Sequence, residues 1–129
     1  MDVKFNSHLE FQFAQHWDIL YPDIDLVHDA QIASVSALGT AYRYDFLQMD
    51  SRVTIEIQGA VWSPKAAHNS GGGIQRDYKK CNLAQIQGWS AFQLSEEMMT
   101  DEWIHRIADH VKSRLEVFNM LNAHPQNQP

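Results

Sequence analysis

Two short runs near the middle of the chain limit what it can become. Tyr42-Arg43-Tyr44-Asp45-Phe46-Leu47 and Val53-Thr54-Ile55-Glu56-Ile57-Gln58 are rich in aromatic and β-branched residues, with a polar turn near Met49-Asp50-Ser51 between them. They read as two adjacent strands joined in a hairpin. Each carries one acidic residue, Asp45 or Glu56, inside an otherwise apolar or aromatic stretch. A carboxylate in a half-buried strand costs folding energy unless its charge is compensated. Two of them brought together by a hairpin repel each other, and a divalent cation relieves that most simply. The arrangement suggests a magnesium site on the rim of a sheet, which is the chemistry of phosphodiester hydrolysis.

At 129 residues the chain fits one domain with a single core. The only cysteine is Cys81, so no internal disulfide framework and no thiolate cage can form, and a reducing compartment is the default. The start, Met1-Asp2-Val3-Lys4-Phe5-Asn6-Ser7, lacks the basic opening and apolar run of a signal peptide, and no stretch is apolar enough to span a bilayer. A soluble, cytoplasmic protein without membrane contact is expected. The net charge of −6 with histidines neutral counts against strong non-specific nucleic-acid binding. A local basic stripe can still carry phosphate contacts, and Arg76, Lys79 and Lys80 form the clearest one.

Ser7-His8-Leu9-Glu10 has the form of a capping box, and Leu9, Phe13 and Trp17 follow at four-residue spacing. The spacing predicts a first helix from about Ser7 to Leu20. Asp25 to Ser36 is expected to hold one irregular strand or two short ones. After the hairpin, Ser63 to Gly73 reads as a loop, long enough to be mobile or functional. A second helix is predicted over Ile74 to Gln87, with Ile74, Tyr78, Cys81 and Ile86 on its apolar side and Gly88 as its stop. Trp89 to Leu94 alternates like a strand. Thr100 caps a final helix with Ile104, Ile107, Ala108, Val111, Leu115 and Phe118 inward. Residues 122–129, rich in Asn, Gln and Pro, read as a disordered tail to a domain of residues 1–121. The fold class is α/β or α+β, with a mixed central sheet of four or five strands flanked by helices.

Glu56 and Gln58 point the same way along their strand, and Asp45 can sit beside Glu56 from its neighbour. Two carboxylates with the backbone carbonyl of Ile57 would make an oxygen-only site suited to magnesium, and Gln58 could orient a bound water or hold a phosphate oxygen. The alternative is a solvated edge hairpin with no site. Glu10 is either a third site carboxylate or a capping-box residue bonded to its own helix start. His68, beside the glycines, is either a general base or phosphate contact, or a solvated loop residue. Arg76, Lys79 and Lys80 open a helix whose N-terminus also favours anions. Trp62, Trp89 and Trp103 fit core or dimer contact better than base stacking, and the remaining histidines, His105 and His110 included, read as surface residues.

The order of these stretches resembles the PD-(D/E)XK nuclease superfamily, whose core runs αβββαβ with the acidic pair on its second and third strands. The closest likeness is to small phage and bacterial endonucleases of the very-short-patch-repair and homing type. It rests on Tyr44-Asp45-Phe46, Ile55-Glu56-Ile57-Gln58-Gly59, His68 with Gly71-Gly72-Gly73, Arg76-Asp77-Tyr78-Lys79-Lys80-Cys81-Asn82, and Gly88-Trp89. The resemblance spans about Ser7 to Leu94, with the final helix as an extra element. It implies a magnesium-dependent DNA endonuclease, with manganese able to substitute, in a bacterial or phage-infected cell. Glu10 would complete the metal site, and Arg76, Lys79 and Lys80 would hold DNA phosphates.

One position departs from the pattern: the lysine usual after Glu-x is Gln58. Lys80 or Arg76 is then the nearest source of positive charge. A homodimer or higher oligomer, joined through Trp103, Phe118, Met120 and Leu121, would enlarge the DNA footprint of so short a chain. The rivals are a structure-selective nuclease such as a Holliday junction resolvase, an inactive DNA-binding or assembly protein of the same fold, and a small-molecule hydrolase using the same metal pair.

Overall fold

The computed structural model describes residues 7–59 and 70–123. Helix α1 (His8–Leu20) is followed by strand β1 (Val27–Ala30), a single-turn helix α2 (Ala33–Ser36), and the hairpin strands β2 (Tyr44–Gln48) and β3 (Val53–Gln58). Helix α3 (Ser70–Ile86) leads to strand β4 (Ser90–Ser95), a short 3-10 turn, and the long helix α4 (Asp101–Ala123). The four strands form one sheet in the order β1-β2-β3-β4. β1 with β2 and β2 with β3 pair antiparallel, and β3 with β4 pairs parallel. The expected mixed sheet is present. Among the described residues no helix is long and apolar enough to cross a membrane.

α1 starts where the capping box places it, with the Glu10 amide donating to Ser7 Oγ at 3.1 Å. Its Phe13 and Trp17 are buried against Phe46, Val53, Ile55, Ile57 and Leu94 of the sheet and Ile104, Ile107, Ala108 and Val111 of α4. The other sheet face meets α2 and α3 through Ile32, Val35, Tyr44, Leu47, Ala84 and Trp89. Gly88 turns the chain into β4 at φ +87°, a conformation that glycine adopts without a Cβ clash. Gly59, just past β3, packs so closely on α1 that a Cβ would lie 2.9 Å from Leu9 Cδ1.

Several expectations need correction. Between Asp25 and Ser36 only Val27–Ala30 is strand. Ile32 and Val35 are both buried, and the single turn of α2 is what brings this i, i+3 pair inward together. α3 begins at Ser70 and takes in Gly71, Gly72 and Gly73, which were expected in a loop. Its predicted apolar side is largely in water, with Ile74, Tyr78 and Ile86 exposed. The face it turns inward carries Lys80, Leu83 and Ala84, because the sheet beneath presents Thr54 and Glu56 as well as apolar groups. α4 runs through Asn122 to Ala123, past the expected start of the tail, and Phe118 is exposed rather than inward. Trp103 packs against the core with the Arg106 guanidinium 5.0 Å above its ring, while Phe118, Met120 and Leu121 are exposed. His110 is half-buried, bonded to Ser90 Oγ at 2.8 Å and edge-on to Phe92. Burial and the Arg114 charge push its pKa down.

Candidate functional site

The hairpin ladder stops short of its own end. Registered pairs are Gln48 with Val53, Leu47 with Thr54 and Phe46 with Ile55. One step further, where Asp45 would oppose Glu56, side chains replace the backbone bonds. The Asp45 amide donates to Glu56 Oε2 at 3.1 Å, and the Ile57 amide donates to Asp45 Oδ2 at 2.8 Å. The strands splay there, and the two acids fill the gap. Buried amides need acceptors, so this pairing satisfies the backbone while holding the carboxylates in place.

Glu56 lies on the α3 side of β3, together with Thr54 and Gln58. The Lys80 ammonium reaches it from α3, with Nζ 2.7 Å from Oε1 and both side chains mostly buried. This contact is an ion pair set off the line of a hydrogen bond. Lys80 also lies 5.1 Å from the Tyr44 ring centroid, and Tyr44 donates its hydroxyl to the Lys80 carbonyl at 2.9 Å. Burial, and then the Asp45 charge, push Glu56 up to about 7 against the pull of Lys80. Burial and the Glu56 charge push Tyr44 to about 12.

Glu10 approaches from α1 and is only 5% exposed. Its Oε1 lies 3.1 Å from His28 Nε2, and its Oε2 accepts from the Ser7 hydroxyl at 3.3 Å. Burial, and then the Asp45 charge, raise its pKa, which puts it in the same electrostatic neighbourhood. The Glu10 amide is capped by Ser7, as the capping box requires, and its carboxylate is turned inward to His28. His28 stacks on Phe46, with ring centroids 5.3 Å apart. His28 is not the surface residue expected from the sequence, since its side chain is 14% exposed. Nothing in Val27-His28-Asp29-Ala30 announces that role, because a four-residue strand gives no usable periodicity.

The remaining candidates divide by position. Gln58 shares the Glu56 face and lines, with Asp77, Lys80 and Gln93, a void of about 10 Å³. Arg76 and Lys79 are exposed on α3, whereas Lys80 turns in to Glu56. Trp89 is buried in the core. His68 and Trp62 lie outside the described residues.

The donor chemistry at this end of the sheet, carboxylates and a backbone carbonyl, fits a hard divalent cation. The rotamers do not converge on one: among the described residues no three His, Cys, Asp or Glu side chains gather at ligand spacing. Both Glu56 oxygens are engaged, one by an amide and one by Lys80, so a cation would have to displace the lysine. Comparison with protein-family models, with curated proteins and with solved structures finds no match to this chain.

Proposed function

We propose that this chain is a magnesium-dependent DNA endonuclease on a PD-(D/E)XK-like core. The observation that carries the reading is the pairing of Asp45 with Glu56 at the splayed end of the hairpin, with Lys80 of α3 set against Glu56. An acid with no task on a surface hairpin would face solvent, and here Glu56 is withdrawn from it. Asp45, Glu56 and the Ile57 carbonyl would hold magnesium, or manganese in its place, and Glu10 would support a second ion. When bound, such an ion polarises a phosphate and lowers the pKa of a water.

The chain's own residues supply the rest. Lys80 gives the positive charge that Gln58 lacks, beside Glu56 on the α3 face of the sheet. Gln58 orients the attacking water or holds a phosphate oxygen through its amide. Arg76 and Lys79, exposed on the same helix, take backbone phosphates along the duplex. His68 would serve as general base or phosphate contact. A homodimer in the cytoplasm of a bacterial or phage-infected cell would let the small domain cut both strands.

The test is nicking of supercoiled plasmid in magnesium or manganese. Cleavage is expected for the wild type and is lost, by about a thousandfold or more, in Asp45→Ala and Glu56→Ala. Stronger cutting of a four-way junction than of linear duplex would make the protein a junction resolvase. Failure to cut plasmid, duplex or junction with either metal would reject catalysis. A DNA-binding or assembly protein would then remain, a reading favoured by the engagement of both Glu56 oxygens.

A further inference from the structure

Strand β4 closes one side of the sheet as its edge strand. Among the described residues no strand pairs with it beyond β3. Exposed edges are commonly blunted by lysine, proline, a bulge or brevity. The six residues Ser90-Ala91-Phe92-Gln93-Leu94-Ser95 contain no charge and no proline, and their register with β3 runs unbroken from Ser90 to Ser95.

From this edge we infer that two copies of the chain associate by pairing β4 with β4, antiparallel about a two-fold axis, to make one continuous eight-stranded sheet. The Ser90 amide donates to the Arg52 carbonyl, so Ser90, Phe92 and Leu94 direct their backbone groups toward β3. Alternation leaves Ala91, Gln93 and Ser95 facing outward. An isologous antiparallel pair must oppose outward residues to outward residues. The register that uses all three sets Gln93 against Gln93 of the second copy and Ala91 against Ser95.

That same register brings opposite charges together. At the start of β4, Arg52 lies beside Gly88, where a Cβ would be 3.9 Å from its guanidinium, and Arg114 donates to the Gly88 carbonyl at 2.9 Å. Just past the end of β4 stand Glu96 and Glu97, both exposed. The chain leaves the strand at Ser95 for the 3-10 turn, so pairing about Gln93 brings the Glu96–Glu97 end of one copy beside the Gly88–Ser90 end of the other. Each basic end then meets an acidic end, twice over by symmetry. A parallel arrangement would instead set like charges together. Because Gln93 is also the registered neighbour of Glu56, the row across the sheet reads Glu56, Gln93, Gln93, Glu56. The two Glu56 residues fall three strand spacings apart, roughly 14 Å.

The interface does not depend on the catalytic reading, and its test reads mass rather than cleavage. Sedimentation velocity of the full chain should give a species of twice 14.9 kDa. Arg52→Glu and Glu97→Arg should each weaken the dimer by about tenfold, and the double variant Arg52→Glu/Glu97→Arg should restore it. Gln93→Pro, which removes the central outward donor from each copy, should give monomer with an unchanged circular dichroism spectrum. Both charge sites are exposed, so their variants keep the test decisive even where the proline variant fails to fold. A monomeric wild type would overturn the inference. So would a dimer indifferent to both charge reversals, or one broken by Phe118→Glu on α4 instead.

Discussion

The two faces of the same sheet are built on opposite principles. Along β3, Val53, Ile55 and Ile57 turn toward α1 and α4 and are buried among aliphatic and aromatic side chains. Thr54, Glu56 and Gln58 turn the other way, onto α3, against Tyr44, Lys80 and Cys81. Both faces exclude water, but only the first gains from doing so. Burial of Ile55 is stabilising on its own account, while burial of Glu56 is tolerated because Lys80 and a backbone amide share its charge. One face holds the fold together, and the other uses part of that stability to keep charged groups where solvent would not leave them.

The contrast can be broken on the apolar side first. Ile55→Ala removes fully buried methylene groups and should cost about 3 kcal/mol in urea unfolding, the largest change in stability expected here. Next, His28→Ala strips Glu10 of its ring partner and leaves a buried carboxylate with only the Ser7 hydroxyl. A loss of about 2 kcal/mol is expected at pH 7. His28→Gln, which keeps a donor, should recover much of it.

The polar side can be sharpened by pH. Glu56 in the folded protein is raised from 4.5 to about 7. Between those values the native state holds a proton that the unfolded chain has released, so stability falls as pH rises through the window. The slope approaches about 1.4 kcal/mol per pH unit at most. His110, lowered by burial and Arg114, works in the opposite sense below 6.5. The difference between wild type and Glu56→Gln therefore isolates Glu56: the variant should be more stable at pH 7.5 and nearly equal at pH 4. The smallest effect belongs to Thr54, whose buried hydroxyl has no hydrogen-bond partner among the described residues. Thr54→Val should stabilise the protein by about 1 kcal/mol, measured as a shift of the urea midpoint at constant slope.

The sequence made the acids of the hairpin legible because a carboxylate among β-branched residues is a local anomaly. The capping box of α1 and the apolar stripe of α4 from Ile104 to Val111 were legible for the same reason, since spacing within a few residues specifies them. Contacts between distant segments were not. Lys80 and Arg76 stood as equal candidates for the missing charge, and only the docking of α3 brings Lys80 to Glu56. The periodicity of Ile74, Tyr78 and Ile86 announced a helix without saying whether that side faces in or out. No local pattern marks His28, because its partner, Glu10, lies on another element.

The parallel joint between β3 and β4 has a consequence for the order of assembly. The hairpin closes over a four-residue gap and brings Asp45 beside Glu56 at little entropic cost. Lys80 arrives only when the whole segment from Gly59 to Trp89 has crossed over and β4 has docked, a long-range step and a slower one. During that interval the nascent protein carries an acid pair without its counter-charge. On the proposed metal-binding role of Asp45 and Glu56, a refolding chain should speed up when divalent ions are added before α3 closes, an acceleration that Lys80→Met would preserve and Asp45→Asn would abolish.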